Sequence, residues 1–557
     1  MFASNLASRG LNVFFLRCVS GPSSRNLSTV LDGVKSVSNV KPYYITTPIF
    51  YPNAVPHIGH LHSLVIADIF ARFERISGER PVQFITGTDE HGLKIQRAAQ
   101  AKGMAPLAFC DELSESFRNL AKKADISSTM FLRTTEQKHC DAVQHMWRTL
   151  DEKGLIYKGQ HAGWYSVSDE CFYTDLQVTE VDPGTGDDKY YVSSETGSRV
   201  EWQEENNYKF RLSYFRSILA QHYKAHEDAI YPPQYRAEIL GVLSEPLEDL
   251  SISRPSSRLT WGVPVPGDPE HTIYVWIDAL MVYLSSIGYP WTSSGDNGLS
   301  SGWPPDIQVI GKDILRFHAI YLPAMLAALD LPFSKRLLSH SHWTVDKHKM
   351  SKSVGNVADP IQAIDEYGVD IVRYYLARVG GRFKDDVDWS HEQLQKHSKE
   401  IMAAFGNLYS RNVGQKILSR LNGQIQPKIE DLHRHRITTA LMSDLQDLPN
   451  SVHEHMQRLE VADALDRIVT TLQKANLLVT QTSPWNDRAT PVEVALSVHT
   501  VVLHALRVCG ILLQPFIPSK ASLVLDQLSI PDNERNLDFA NSRNVTLGEL
   551  LPRVQIF

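Results

Sequence analysis

The chain is poor in cysteine, and the few it has form no pattern. Its 557 residues include only Cys18, Cys110, Cys140, Cys171 and Cys509, with no CxxC pair. That excludes a disulfide framework and a cysteine-rich zinc motif, and it fits reduced thiols inside a cell. A positive charge balance is also missing. The formal net charge is −7, which excludes a globally basic nucleic-acid binder but not a local basic face. Acidic residues are absent before Asp32, whereas Arg9, Arg17 and Arg25 stand among serines. An Arg- and Ser-rich, acid-poor start is the pattern of a mitochondrial transit peptide, here residues 1–30. The apolar piece from Leu11 to Leu16 is too short to span a bilayer, so no membrane insertion is expected. With 43% hydrophobic and 21% charged residues, the chain has the composition of several ordinary folded domains.

What is present is organised around residues 46–60. An apolar run from Tyr43 to Ile45 reads as a buried strand, and Leu61 to Arg75 repeats at helical spacing. Between them His57-Ile58-Gly59-His60 places two imidazoles about a glycine at a helix N-terminus. Free backbone N–H groups and the positive end of the helix dipole make such a place a candidate anion site. A pair of core histidines in an ordinary strand-to-helix turn fits those four residues equally well.

Strand and helix alternate from 42 to 157, predicting the first half of a parallel-sheet domain. Val82 to Thr86 reads as its second strand, followed by the polar cluster Asp89, Glu90 and His91 and a helix from Leu93 to Lys102. Residues 158–262 are rich in Tyr, Trp, Gly and Asp and read as an inserted β-rich module with a helical piece near 207–229. Alternation resumes over 263–345, with strands predicted at 272–276, 307–310 and 337–345. A basic polar loop opens the stretch 346–390. Residues 391–557 are helical in pattern: Val461, Leu465, Ile468 and Leu472 share one face, and 492–513 is apolar almost all round. The expected fold is therefore α/β, a Rossmann-like parallel sheet with an inserted β-rich connective module, followed by an α-helical bundle.

Two distant stretches gain meaning together. His57-Ile58-Gly59-His60 and Lys349-Met350-Ser351-Lys352-Ser353, in that order and around an insertion, resemble the paired motifs of class I aminoacyl-tRNA synthetases. The segments 86–92 (TGTDEHG) and 274–279 (YVWIDA), and 310–314 (IGKDI) with Phe317-His318, resemble the methionyl-tRNA synthetase family. The likeness runs from about residue 42 to at least Trp485, and with the import-like start it is to mitochondrial members. It implies two steps: methionine attacks the α-phosphate of ATP, and the adenylate then passes methionine to the 3′ end of mitochondrial tRNA(Met) in the mitochondrial matrix.

The same resemblance assigns roles. His57, His60, Lys349 and Lys352 would be catalytic, Lys352 having the larger role of the two lysines. ATP would meet Asn53, His57, Gly59, His60, Asp313, Lys349, Ser351 and Lys352, with Mg²⁺ entering as part of the substrate complex. Asp89 would pair with the methionine ammonium. Ile49, Tyr51, Trp276, Ala279, Leu280, Tyr283, Ile314 and His318 would form the apolar and aromatic pocket suited to a thioether. Asn407, Arg411, Pro484 and Trp485 match anticodon-reading positions, in a stretch whose lysines and arginines outnumber its acids. A monomer is expected.

The insertion holds only Cys171, so no structural zinc is expected, although many relatives have zinc knuckles. Trp164, Tyr165, Phe172 and Tyr173 are expected to form a small aromatic core in its place. Synthetases for leucine, isoleucine or valine would need a larger editing module. A nucleotidylyltransferase could share the His-Gly-His turn without the bundle. A silent tRNA-binding protein would not need Lys349 to Ser353.

Overall fold

Tyr43–Thr46 (β1) is buried along its whole length, as befits a strand covered on both faces. It pairs in parallel with Val82–Thr88 (β2), which pairs in parallel with Met130–Arg133 (β3). On its other side β1 pairs in parallel with Ile307–Gly311, then come Leu337–His340 and Ile230–Tyr231. The order β3-β2-β1 and then these three makes a six-stranded parallel sheet. Between β1 and Ile307–Gly311 the strand order reverses direction. A crevice opens at the carboxyl ends of the strands at such a point, and ligands bind there.

This computed structural model describes residues 40–184, 188–194, 196–291, 298–350, 357–422, 427–434, 436–542 and 550–557, with Lys41–Phe557 forming one compact unit. The predicted transit peptide lies outside the described residues, as do Ser351, Lys352 and Ser353.

The inserted module differs from its expected bounds. An antiparallel sheet joins Cys171–Tyr173, Ile156–Ser166, Arg199–Phe210, Tyr190–Ser193 and Val178–Val181, so its first strand starts before 158. The stretch then leaves the module: Ile230–Tyr231 completes the parallel sheet, and the helices Arg216–Ala225 and Pro233–Ser244 bury Leu219, Tyr223, Ile239 and Leu243 in the core beneath it. Burial of those apolar faces draws this half of the stretch back to the catalytic sheet. Residues 207–210, expected to begin a helix, end a strand.

Two strand expectations are corrected as well. Residues 337–345 form two strands, because Ser341 donates to the Phe383 carbonyl at 2.9 Å and the His342 N–H donates to Asp386 at 2.9 Å. Trp343–Val345 thereby leaves the large sheet and pairs with Val387–Asp388 and His348–Lys349. The strand expected at 272–276 is Asp268–Ile273 in a small antiparallel sheet, and Trp276 lies in the helix Val275–Leu280.

The C-terminal half is helical, with Val461–Thr482 and Val492–Leu513 as its long members. The predicted face Val461, Leu465, Ile468 and Leu472 is buried. The helix Val492–Leu513 is long and apolar enough to cross a membrane, yet 94% of its apolar window is buried inside the protein. One apolar core runs from β1 and the helix Ile58–Ser77 (α1) to these helices. A buried ion pair ties the halves further: Arg373 donates to Asp68 of α1 at 2.7 Å and to the Pro515 carbonyl at 2.8 Å.

Candidate active site

α1 begins at the crevice with a reciprocal cap. His57 is the N-cap residue, and its Nδ1 accepts from the Gly59 N–H at 3.1 Å, while Nδ1 of His60 accepts from the His57 N–H at 3.0 Å. The rings stack with centroids 3.8 Å apart. Each Nδ1 faces a donor, so each ring is the neutral tautomer that carries its proton on Nε2. The cap thus prepares two N–H donors beside a helix N-terminus. Gly59 has a second role besides letting a ligand approach: a Cβ there would press on His57 Cε1 at 2.9 Å.

A cleft of about 940 Å³ opens at this point. His57, Gly59, His60 and Asp313 line it, together with Ile49, Tyr51, Asp89, Trp276, Ala279, Leu280, Tyr283, Ile314 and His318. The structure therefore brings together almost every described residue predicted for ATP and amino-acid binding. Among those whose side chains are described, Asn53 is the exception. Its N–H turns back to the Tyr51 carbonyl at 2.9 Å, and it does not line the cleft. Lys349 ends the short strand His348–Lys349, at the base of the predicted lysine loop.

The apolar wall follows from helix geometry. Trp276, Ala279, Leu280 and Tyr283 sit three, four and seven residues apart across consecutive helical segments, so they share a face. Trp276 stacks on Phe317 at 3.8 Å. His318 donates from Nδ1 to the Ile314 carbonyl at 2.9 Å, and its Nε2 accepts from the Tyr283 hydroxyl at 2.7 Å. Burial pulls His318 down to about 4 and keeps it neutral.

Asp89 is the carboxylic exception in this wall. It is buried, and Oδ1 has no hydrogen-bond partner among the described residues. Burial first, then repulsion from Asp278 and Glu170, raises its pKa well above the carboxylate range. A buried carboxylate oxygen without a partner is costly until a donor reaches it, so Asp89 Oδ1 is open to a donor group entering the cleft.

Several residues at the site were not singled out from sequence. Asp278 is gripped by His91 Nδ1 at 2.6 Å and His139 Nε2 at 2.8 Å. Burial alone would raise its pKa, but the two imidazoles bring it to about 2. Glu170, from the inserted module, reaches Tyr51. His342 Nε2 lies 3.1 Å from Asp313. His91, Asp278 and Glu170 lay within stretches that stood out in the sequence, but nothing there indicated their contacts.

The expected aromatic core of the insertion divides between two faces. Tyr165 and Phe172 meet edge to face at 4.9 Å, whereas Trp164 packs on Tyr191 at 4.3 Å. Cys171 packs against the apolar core beneath the parallel sheet.

At the far end, Asn407 is exposed at the start of the helix Asn407–Asn412. The Arg411 guanidinium lies 5.3 Å from the centre of the Trp485 ring, which is 37% exposed. Pro484 is buried, and its carbonyl accepts from Arg420 at 2.5 Å. Of the predicted basic stretch, Lys396, Lys399, Lys416 and Lys428 are exposed, whereas Arg411 and Arg420 are engaged within the fold.

A parallel sheet with a capped helix N-terminus and a buried carboxylate in the cleft at its switch point has the architecture of a nucleotide-binding α/β enzyme. The family model for tRNA synthetases class I (M) matches residues 43–413, and that for the anticodon binding domain of methionyl tRNA ligase matches 433–550. The chain is 43% identical over 515 residues to a probable mitochondrial methionine–tRNA ligase of Schizosaccharomyces pombe, covering 92% of this chain and 94% of that one. It is also 43% identical over 517 residues to the mitochondrial methionine–tRNA ligase of Homo sapiens, covering 89% and 85% of the two. Mycobacterium tuberculosis methionyl-tRNA synthetase in complex with methionyl-adenylate matches with a TM-score of 0.86 at 36% identity, over 93% of this chain and 100% of that one. The chain belongs to the methionyl family of class I aminoacyl-tRNA synthetases, ATP-dependent aminoacyl-tRNA ligases.

Proposed function

We propose that this enzyme activates methionine and charges mitochondrial tRNA(Met) in the mitochondrial matrix, and that the cleft residues divide the work as follows. The observation that carries the reading is the buried Asp89 carboxylate, whose Oδ1 has no partner among the described residues and which shares one cleft with the capped imidazoles and the Trp276 wall. Asp89 holds the methionine ammonium, and Ile49, Tyr51, Trp276, Ala279, Leu280, Tyr283, Ile314 and His318 enclose the side chain. This directs the carboxylate toward the α-phosphate. Nε2–H of His57 and of His60 donates to phosphate oxygens, and Asp313 receives the ribose. Lys349 and Lys352 stabilise the departing pyrophosphate, with Mg²⁺ as part of the ATP substrate. Alignment and charge stabilisation are the catalytic devices, since the displacement asks for little covalent work from the protein.

For the tRNA, Trp485 offers its open face to an unpaired anticodon base, and Asn407 and Arg411 reach base edges. Pro484 shapes the backbone that presents Trp485. The protein works as a monomer, and the insertion holds its shape without zinc, through β pairing and the two aromatic clusters. Methionine-dependent exchange of pyrophosphate into ATP tests the first step, with leucine, isoleucine and valine as controls. Charging of mitochondrial tRNA(Met) tests the second. Exchange supported by leucine but not methionine would sink the reading, as would stoichiometric zinc for the zinc-free insertion.

A further inference from the structure

The inserted module reaches the amino-acid pocket through two successive residues. Asp169 and Glu170 form the tip of the hairpin joining Ile156–Ser166 to Cys171–Tyr173. The Glu170 carboxylate is buried, and its Oε1 accepts from the Tyr51 hydroxyl at 3.1 Å and from the backbone N–H of Lys94. Lys94 is the second residue of the helix Leu93–Ala101 (α2), so the carboxylate occupies a helix N-terminus, where N–H groups lack helical partners. Gly92, at φ +106°, makes the docking possible, because a Cβ there would collide with the Glu170 carboxylate and the Tyr51 hydroxyl. One residue earlier, the Asp169 carbonyl accepts from Trp276 Nε1 at 3.4 Å. The Asp169 side chain is braced inside the module by Tyr173, Thr196 and Ser198, at 3.0, 2.7 and 3.0 Å. Tyr51 and Trp276 are walls of the methionine pocket.

We infer that the Asp169–Glu170 tip is a positioning element of that pocket, through which the inserted module sets the affinity for the amino acid. The inference rests on the methionine reading of the cleft and adds to it a residue that does not touch the reacting atoms. Glu170 shares the Tyr51 hydroxyl with the His91 carbonyl, to which that hydroxyl also donates at 2.8 Å, the Asp169 carbonyl holds the Trp276 ring, and the Glu170 charge adds to the field that attracts the substrate ammonium. Burial raises Glu170 to about 7, against the opposing pull of the Lys94 N–H, the Tyr51 hydroxyl and the cations Lys94 and Arg254. Asp89 is the carboxylate that Glu170 repels. The ionised form prevails above that pH, so methionine binding weakens as pH falls through 7.

Two variants separate this role from general stability. Glu170 adopts φ +54°, a conformation that suits glycine, so Glu170→Gly keeps the turn without strain and removes only the carboxylate. It should raise KM for methionine about tenfold in pyrophosphate exchange, with kcat and KM for ATP within about twofold and the thermal midpoint unchanged or higher. Glu170→Gln keeps an acceptor oxygen but loses the charge. Its methionine KM should be about threefold above wild type at pH 8 and should climb less steeply than the wild-type KM down to pH 6, the remaining rise belonging to Asp89. A wild-type methionine KM in Glu170→Gly overturns the inference, as does a Glu170→Gln pH profile that superimposes on wild type. Parallel losses in kcat, KM for ATP and thermal midpoint would mark a merely structural role and also overturn it. A wild-type protein without methionine-dependent exchange would overturn the functional reading itself, whatever the variants do.

Discussion

The two substrate-binding ends of this molecule are built on opposite principles. At the catalytic end the decisive groups are buried: Asp89, with its Oδ1 unpartnered among the described residues, His318 held neutral, and Asp278 clamped between two imidazoles. At the bundle end Asn407 and Trp485 are exposed, and Arg411 is laid across the Trp485 ring. A small amino acid must be chosen by full enclosure, where every unmatched polar group carries a large penalty. A tRNA loop brings its own large surface, so a platform for stacking and edge contacts suffices. Chemistry and recognition are therefore separable by mutation, even though one apolar core joins the two ends.

The sharpest separation should come from the lysine loop. Lys352→Ala is expected to lower kcat of pyrophosphate exchange by about 10²–10³-fold, the scale for losing one transition-state stabiliser, with KM for methionine little changed. Stopped-flow measurement of adenylate formation checks this, and an equal fall in methionine affinity would contradict it. Next, Asp89→Asn keeps the shape but removes the charge. It should raise KM for methionine about 100-fold, the size of a lost charge-assisted bond in a buried site, and leave ATP binding intact. Trp485→Ala is the converse probe: kcat/KM for tRNA should fall about tenfold or more, with pyrophosphate exchange unaffected. An exchange defect in this variant would break the comparison. Trp276→Ala should raise KM for methionine by about tenfold through lost aromatic contact, and tRNA binding should hold.

The smallest effect is expected from pH, and it touches both ends. Burial pulls His318 and His340 in the catalytic half, and His499 in the bundle, down to about 4. The unfolded chain takes up these protons at its ordinary histidine pKa, and the folded chain does not. Their contribution to stability is therefore complete above about 6.5 and declines as pH falls from there toward 4. Thermal midpoints measured across that window should drop smoothly. A flat profile would mean that these rings accept protons without unfolding.

The elements legible in the sequence were those with a local signal. The helix Val492–Leu513 reads from its apolar run, and α1 reads from its periodicity and the turn before it. Residues 337–345 did not read correctly, because no Gly or Pro marks the break at Ser341 and His342, which comes from bonds to Phe383 and Asp386, more than forty residues away. The return of Ile230–Tyr231 to the parallel sheet was hidden in the same way, being decided by the apolar faces of its flanking helices. Most pocket residues were legible through family resemblance. The His91–Asp278–His139 clamp and the tip contacts of Glu170 were not, since neither spacing nor composition brings those residues together.

By itself, the sequence determined the family, the succession of sheet, insertion and bundle, and the residue types that meet the substrates, since motif and periodicity are local properties. The tertiary structure alone decided three things. It left Asp89 Oδ1 without a partner among the described residues, set the tautomers of His57 and His60 through reciprocal capping, and laid an inserted hairpin against the cleft. Protonation state and unsatisfied valence depend on what burial removes and which distant groups it supplies, and no stretch of sequence contains that information.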